Sequence, residues 1–502
     1  MNASRSNEKN LPNESRSNDL SPWIIATTAI VIIAMLIRLA LNFRHALLPG
    51  TDAAYYPMLS QWLILHGELS LPAMPLIFHL QAILAKAMMA IFGTSLEESV
   101  CLSARLFDGC VQPLTAIPIM LLGFVWSTGR RSAVCLCAAA AVLSVMSPPI
   151  MRMAGDLQKN SLGMMWMAVN IWAMRQSLAS PRSRGRWVCL AIVFVLAGVS
   201  HIGAFGVTGV ILVGSLLSYA VLSGRLQLSR QNVIFIGQVT LAVALVTLFI
   251  AWLVPSQVQR ISTTAARVVG FSPAALVLSV VVYTGLFWVL QKLYLQGNLV
   301  PRCDLAIAIG SACGVALLVA PVFSGVWVVR FQLMTPVPVA VLLSLVTTKS
   351  HWDDNPRWRR NVMFGVIGLL TLVSPAAMQG PVISKAAADE LRELKKTKIV
   401  DSENTLVVAP HGMEFWAGYL MRTRVKRTSV PRDVSSYDRV LLLKPSDEAL
   451  GHRPQPHHSP GFERGPMVRR QERQRPEEEP DLIVPSDAKI IYQSQLFTLY
   501  EI

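Results

Sequence analysis

The sequence predicts an all-α polytopic membrane protein of about eleven transmembrane helices, followed by a small α/β domain at its C-terminus. Three observations support this fold class. The 502 residues are 53% hydrophobic and only 15% charged, against roughly a quarter charged in soluble domains. Apolar runs long enough to span a bilayer, or nearly so, recur between residues 22 and 380. Beyond residue 380, shorter strand-like segments replace these runs.

The formal net charge of +15 does not indicate nucleic-acid binding. Many of the basic residues lie in short loops between apolar runs, where positive charge sets the orientation of a membrane protein. The seven cysteines all fall within or beside apolar segments. They are expected to be small packing residues, because their spacing is not that of a structural zinc site. The predicted partners are therefore membrane lipids, with no nucleic acid among them.

The membrane body is predicted to begin after a polar tail, 1–21, at the apolar run 22–41. This run is too long for a signal-peptide core, and we expect it to remain as the first helix. His201 lies between two short runs and is expected to be a polar turn residue. The predicted spans are 22–41, 101–127, 133–150, 161–178, 187–200, 203–222, 233–254, 273–291, 304–321, 329–347 and 361–380.

The apolar region 72–92 is interrupted by His79, Gln81 and Lys86, and the distribution of basic residues decides its place. If it lies on the surface, about seventeen basic residues fall on the side of the N-terminus and about seven on the opposite side, the bias expected for cytoplasmic loops. If it spans, the densest basic loops after residue 127 move outside. The sequence therefore predicts a multi-pass protein of the inner or plasma membrane. Its N-terminus is cytoplasmic, and residues 43–100 form one external loop with two interfacial helices.

The tail, 381–502, is predicted to fold into a small extracytoplasmic α/β domain. Residues 452–480 are rich in Pro, His, Arg and Glu and are predicted to be a disordered insertion. The predicted helices are 385–398 and 413–421, and the predicted strands are 405–409, 439–443, 488–492 and 496–501.

Candidate chemistry begins in the first external loop, where Asp52 follows the first helix. A carboxylate at the membrane surface can act where a lipid-linked substrate meets water. Alternatively, Asp52 caps the helix that follows it, since Asp is a favoured N-cap residue. The pattern of residues alone leaves both roles open.

The loop continues with further elements in a fixed order. They are Asp52, Tyr55 and Tyr56, Gly67, Pro72 and Pro75, Phe92-Gly93, and Arg105-Leu106 at the second span. This order resembles the GT-C superfamily of membrane glycosyltransferases, which includes protein O-mannosyltransferases, aminoarabinose transferases and oligosaccharyltransferase catalytic subunits. The resemblance implies a donor sugar linked to a polyprenyl phosphate, with Asp52 catalytic. It also implies substrate or phosphate contacts from Tyr55, Tyr56 and Arg105.

A second acid, Asp156, lies in the next predicted external loop, three residues before Lys159. The superfamily often places an acid there, and the resemblance implies that Asp156 helps to hold a divalent metal (Mg²⁺ or Mn²⁺) or the donor phosphate, with Lys159 contacting the phosphate. Oligosaccharyltransferases have an acid pair at this point, whereas this chain has one acid. A different interpretation is that the negative charge of Asp156 interacts favourably with the macrodipole of the helix that it precedes.

Arg330 stands at the outer start of the predicted span 329–347, ahead of Pro336. Many superfamily members have a similar arginine before a proline-containing helix, and this resemblance implies a phosphate clamp. A guanidinium matches phosphate oxygens with two parallel hydrogen bonds, and at membrane depth it requires a partner. The alternative is that Arg330 extends to the lipid head groups.

His411 and Glu414 open the external domain and are candidates on the acceptor side. Their surroundings are faintly similar to the Trp-Trp-Asp-Tyr-Gly motif of oligosaccharyltransferases. The central acid of that motif is missing here, so we do not assign the function of the motif to His411 and Glu414.

The expected function is transfer of a sugar from a polyprenyl-phosphate donor to a lipid, glycan or protein acceptor outside the membrane. The sequence does not specify the sugar, the acceptor or the oligomeric state. En-bloc transfer of an oligosaccharide is one alternative, and a multi-pass transporter or lipid flippase is another. Transporters tend to place ionisable residues near the bilayer midplane and to contain inverted repeats. Here the charges gather at one surface, and no internal repeat is visible.

Overall fold

The computed structural model describes residues 20–128, 131–224, 273–295, 300–321, 330–349, 361, 365, 379–397, 399–400, 404–427, 435–450, 482 and 484–502. The predicted span 233–254 and the predicted insertion 452–480 lie outside the described residues, as does most of the predicted span 361–380.

Most of the described chain is helical, and the helices form two groups. The helices that precede residue 350 are α1 (Ser21–Phe43), α2 (Tyr55–His66), α3 (Leu76–Phe92), α4 (Leu96–Val111), α5 (Ala116–Ser127), α6 (Arg131–Met146), α7 (Pro148–Arg152), α8 (Gln158–Ala179), α9 (Arg184–Ser200), α10 (Ile202–Leu222), α11 (Pro273–Leu295), α12 (Arg302–Leu318) and α13 (Pro336–Lys349). The C-terminal domain contributes α14 (Lys385–Lys396) and α15 (Met413–Met421).

Six helical stretches of the described chain are long and apolar enough to cross a membrane. They coincide with the predicted spans 22–41, 101–127, 133–150, 203–222, 273–291 and 329–347. The predicted runs 161–178, 187–200 and 304–321 also form helices, α8, α9 and α12. The total of about eleven spans stays a prediction.

The outer face of α1 shows why these helices require lipid. Ile25 and Leu36 expose 68% and 61% of their surface, whereas Arg38 and Asn42 on the same helix are buried. This pattern is inverted relative to a helix of a water-soluble domain, where the apolar stripe faces inward. It follows that the polar side chains of α1 face other helices and that its apolar side chains face lipid.

The segment between α1 and α4 folds as two helices. Helix α2 ends at Gly67 and α3 ends at Gly93, and both glycines adopt the left-handed conformation that closes a helix. Ser95 and Glu98 then form a reciprocal capping box at the start of α4. These end signals hold α2 and α3 as separate short helices.

In the described part of the C-terminal domain, five strands form one sheet in the order β2-β1-β3-β5-β4. Strand β1 pairs in parallel with β2 and β3, and β5 pairs antiparallel with β3 and β4. The strands are β1 (Thr405–Ala409), β2 (Arg424–Arg427), β3 (Arg439–Pro445), β4 (Lys489–Gln493) and β5 (Phe497–Glu501). The small α/β domain is therefore present, although the sequence did not predict β2.

The buried apolar residues form separate clusters, and one of them joins the C-terminal domain to the first loop. One cluster lies among the long helices and includes Trp126 and Met167. A second cluster joins residues of α2 and α3, such as Tyr56 and Phe78, to the C-terminal domain. The domain therefore packs directly on the segment that carries Asp52.

Candidate active site

Asp52 lies in the turn that precedes α2. That helix has Ala54 at its N-cap position and no side-chain cap hydrogen bond, so Asp52 does not cap it through its carboxylate. The Asp52 amide instead donates to Asp156 Oδ1 at 2.6 Å. Asp52 Oδ1 is buried and has no hydrogen-bond partner. This carboxylate oxygen is therefore positioned for a role other than helix capping.

Asp156 lies in the turn between α7 and α8, next to Asp52. The pKa of Asp156 is raised to about 6, mainly by burial and in addition by the negative charge of Asp52. The hydrogen bond from the Asp52 amide and the charges of His411 and Arg330 act in the opposite direction. The structure thus brings two predicted acids together and gives them different surroundings.

Two glycines allow the loops that carry these acids to touch. Gly50 has a φ of +104°, and a Cβ there would lie 2.5 Å from Asp156 Cβ. Gly155 has a φ of +75°, and a Cβ there would lie 2.6 Å from the Pro49 carbonyl oxygen. Any side chain at either position would push the loops apart.

A buried ion pair between α1 and α4 holds the turn that carries Gly155 and Asp156. Arg38 Nη2 donates to Asp108 Oδ1 at 2.8 Å, and Asn42 Nδ2 donates to Asp108 Oδ2, also at 2.8 Å. The same Oδ2 accepts the Gly155 amide hydrogen at 3.0 Å. Sequence reasoning missed these residues. The available signal was an arginine and an aspartate inside apolar runs, a rare and costly placement.

The C-terminal domain brings His411 and Glu414 to Asp52. His411 Nε2 lies 3.5 Å from Asp52 Oδ1, and His411 Nδ1 lies 3.1 Å from Glu414 Oε1. The turn that carries them fits closely against the Asp52 loop, since a Cβ on Gly412 would lie 3.2 Å from the Thr51 carbonyl oxygen. Two predicted acceptor-side residues therefore join the predicted catalytic acid.

Lys159 lies among aromatic side chains at the start of α8. Its ammonium group donates to Tyr55 Oη at 3.2 Å and lies 4.5 Å from the centre of that ring. Tyr56 Oη accepts the Lys159 amide hydrogen at 3.3 Å, and burial raises the pKa of Tyr56 well above its ordinary value. The phenol of Tyr56 therefore stays neutral. The Tyr55 ring also makes an edge-to-face contact with Phe415 of the C-terminal domain.

Arg330 is exposed at the start of its candidate span. Its charge acts on Asp156, and together with Lys159 it acts on His201, which caps α10. Burial is the main reason that the pKa of His201 falls to about 3, and the two cations contribute to that fall. His201 is therefore a neutral capping residue, as expected, and two cations share its neighbourhood.

Arg105 contacts a different part of the molecule. Its Nη2 donates to the Ala46 carbonyl oxygen at 2.7 Å, and its guanidinium lies 5.1 Å from the Phe43 ring centre. It also lines a cavity of about 260 Å³ beside Arg392 and Tyr419. Its described contacts include neither Asp52 nor Asp156, and the role of Arg105 in binding substrate stays a prediction.

The described residues do not assemble a metal-ligand set. No group of three or more His, Cys, Asp or Glu residues among them is arranged to hold a metal ion. One oxygen of Asp156, the predicted ligand, already accepts the Asp52 amide hydrogen. The divalent metal at Asp156 stays a prediction, and no step below passes through a metal.

Comparisons with known proteins agree with the fold. A scan against models of protein families gives no match, and a search of curated proteins by sequence gives none either. ArnT from Cupriavidus metallidurans in the apo state aligns with a TM-score of 0.55 and 11% identity, covering 96% of this chain and 98% of that one. The same protein bound to undecaprenyl phosphate aligns with a TM-score of 0.52 over the same shares.

The archaeal oligosaccharyltransferase AglB from Archaeoglobus fulgidus aligns with a TM-score of 0.49 and 12% identity, covering 80% of this chain and 64% of that one. Identity of 11% to ArnT shows the fold alone. The resemblance predicted from the first loop is confirmed at that level, and the chain has the fold of ArnT.

Proposed function

We propose that the protein is a membrane glycosyltransferase that moves a sugar from a polyprenyl-phosphate donor to an acceptor at the extracytoplasmic face. One observation carries this proposal. Asp52 Oδ1 is buried without a hydrogen-bond partner, in a loop held against the turn of Asp156 and the start of α8, where Lys159 lies. A free basic oxygen near cations suits a reaction that removes a proton at one atom and releases an anion at another.

In the proposed reaction, Asp52 accepts the proton of the acceptor hydroxyl as its oxygen attacks the anomeric carbon of the sugar. The bond between that carbon and the phosphate oxygen breaks, and the bonding electrons leave with the lipid phosphate. Lys159 and Arg330 stabilise the negative charge that develops on this leaving group. Both cations act more strongly where protein and lipid exclude water.

The neutral phenol of Tyr56 and the ring of Tyr55 would form the wall beside the sugar and hold Lys159 in place. Undecaprenyl phosphate is the lipid bound to the ArnT structure of similar fold. It is therefore the first donor lipid to test with this chain. En-bloc transfer of an oligosaccharide would use the same groups on a larger donor.

The proposal is tested by mass spectrometry of lipid extracts from a strain that lacks the gene. We expect a polyprenyl-phosphate-linked sugar to accumulate, and the parent gene to remove it on complementation. The mass of the accumulated species separates a single sugar from an oligosaccharide. If lipid-linked sugars are unchanged in the deletion strain, the glycosyltransferase proposal is wrong.

The transporter alternative predicts a different result. A flippase leaves its lipid chemically unchanged, so its loss would alter the membrane leaflet in which the lipid resides. The buried Arg38–Asp108 pair does not favour this alternative, because its hydrogen bonds go to Asn42 and to the Gly155 amide of the loop beside Asp156.

A further inference from the structure

Three titratable side chains form a line across the junction between the membrane body and the C-terminal domain. Asp52 Oδ1 faces His411 Nε2 at 3.5 Å, and His411 Nδ1 faces Glu414 Oε1 at 3.1 Å. The Glu414 side chain is only 3% exposed, while that of His411 is 27% exposed. An imidazole thus lies between the proposed base and a buried carboxylate, and part of its side chain is exposed to water.

The two contacts of His411 suit the tautomer that carries its hydrogen on Nδ1. An ionised carboxylate can only accept hydrogen bonds, so a hydrogen bond to ionised Glu414 needs a hydrogen on Nδ1. A neutral imidazole then has its lone pair on Nε2, facing Asp52. Two acceptors that face each other remain apart, and 3.5 Å is longer than a usual hydrogen bond. The absence of a hydrogen-bond partner at Asp52 Oδ1 agrees with this arrangement.

We propose that His411 is a positioning residue that receives the proton from Asp52, and that Glu414 fixes its tautomer and stabilises its charged form. This inference rests on the proposed function. The acceptor O–H bond breaks and its proton moves to Asp52, while the hydroxyl oxygen bonds to the sugar. The proton then passes from Asp52 to Nε2, which forms an imidazolium between two carboxylates. Nε2 releases the proton to water, and Asp52 is ready for another acceptor.

The charges around His411 fit this role. The acidic groups described around His411 are Asp52, Glu414 and, at longer range, Asp156, and the charge of Arg330 also reaches Asp156. In the proposed step, the imidazolium would form between the carboxylates of Asp52 and Glu414. The Phe415 ring lies 6.0 Å away and covers one side. The external domain thereby supplies the route by which the proton leaves a base on the membrane body.

The test uses membranes from the deletion strain, which contain both the accumulated donor and the natural acceptor. Purified protein is added, and mass spectrometry follows the initial rate at which the lipid-linked sugar disappears. His411→Ala and Glu414→Gln should each lower this rate by roughly 10²-fold. Added imidazole should restore much of the rate in His411→Ala, because a small base can occupy the exposed space. The control is His79→Ala, an exposed histidine on α3 that should keep the parent rate with and without imidazole.

A second variant keeps the test decisive if His411→Ala fails to fold. His411→Asn retains a side-chain N–H for Glu414 but has no Nε2 lone pair, so its rate should fall without relief by imidazole. Thermal unfolding of each variant confirms that the domain remains docked. If the parent consumes no lipid-linked sugar, the proposed function itself is wrong. If the parent is active and His411→Ala and His411→Asn keep its rate, or imidazole does not help His411→Ala, only the proton route is wrong.

Discussion

At the scale of single residues, two side chains of the same type differ because their surroundings differ. Asp52 and Asp156 are both acids in short turns, and both were identified from the sequence. Asp156 accepts a backbone hydrogen bond and has a raised pKa, whereas Asp52 has an oxygen without a hydrogen-bond partner. The structure therefore gives Asp156 a role in shaping the loop and leaves one carboxylate oxygen of Asp52 without a hydrogen-bond partner.

Asp52→Asn should abolish most transfer without affecting folding. Asparagine preserves the size of the side chain but has no basic carboxylate, and no helix cap is lost because Ala54 occupies the N-cap position of α2. We expect the rate at which deletion-strain membranes lose lipid-linked sugar to fall by roughly 10²-fold or more. The midpoint of thermal unfolding should be no lower than that of the parent, because the variant removes a negative charge beside Asp156. Full activity in this variant would remove Asp52 from the mechanism.

Asp156→Asn should make the protein more stable at neutral pH. The folded state holds Asp156 with a pKa of about 6 instead of 3.8, so its ionised form destabilises the fold by about 3 kcal/mol above pH 6. Below pH 4 the carboxyl is protonated in both folded and unfolded chains, and the penalty disappears. Asparagine still accepts the Asp52 amide hydrogen.

Thermal unfolding of parent and Asp156→Asn between pH 4 and pH 8 measures this effect. The variant should unfold at a higher temperature at pH 7 to 8, and the difference should shrink as the pH falls through 6 towards 4. A difference that stays constant over this range would show that Asp156 is not the titrating group.

Arg330→Ala should weaken use of the donor strongly, and Arg330→Lys should recover only part of the loss. Lysine keeps the charge but cannot form the two parallel hydrogen bonds that a guanidinium gives to phosphate. The measurement is the rate of donor loss as a function of undecaprenyl-phosphate sugar concentration. Equal rates for all three proteins would remove Arg330 from the site.

At the scale of elements, the site depends on two turns that touch only because they contain glycine. Gly50 belongs to the turn after α1, and Gly155 belongs to the turn after α7. The Gly50 amide also donates to the Gly380 carbonyl oxygen at 3.0 Å, which links the first turn to the start of the C-terminal domain. Three separate segments of the chain therefore meet at this position.

Gly50→Ala should lower transfer by roughly 10²-fold, because the new Cβ would displace Asp156 and with it the Asp52 loop. Gly67→Ala is a matched control. Gly67 also has a positive φ, +78°, but a Cβ there meets nothing within 4 Å. The control should lose only about 1–2 kcal/mol of stability and keep its transfer rate. Equal activity of the two variants would argue against the loop contact.

At the scale of the whole molecule, orientation in the membrane decides on which side the chemistry takes place. The C-terminal domain and the first loop share one hydrophobic core, so they must lie on the same side. The distribution of basic residues predicts that this side is extracytoplasmic. A sugar donor would then have to present its head group outside the membrane.

Cysteine labelling of intact cells with a membrane-impermeant maleimide tests this orientation. Glu68→Cys and Glu448→Cys should react from outside, whereas Arg182→Cys should react only after the membrane is opened. All three positions are exposed, and the parent gives the background from its own seven cysteines. Reaction of Arg182→Cys in intact cells would show that the surface assignment of 72–92 is wrong.

The sequence by itself determined the features that depend on local patterns. Long apolar runs predicted the candidate spans, because a helix in lipid must bury all of its backbone polar groups within itself. Short strand-like runs predicted four of the five strands among the described residues. Strand β2 was missed because its sequence, Arg424–Arg427, is mostly charged, and only pairing with β1 makes it a strand.

Only the tertiary structure decided which of the candidate residues meet. Arg105 fits the order of the first-loop elements, yet its guanidinium donates to the Ala46 carbonyl oxygen and its described contacts do not include Asp52. His411 and Glu414 fit no complete motif, yet they lie beside Asp52 because one core joins the C-terminal domain to α2. Periodicity reports which face of an element is buried, but it contains no information about its partner. Contacts between distant segments arise from packing, which a single sequence does not display.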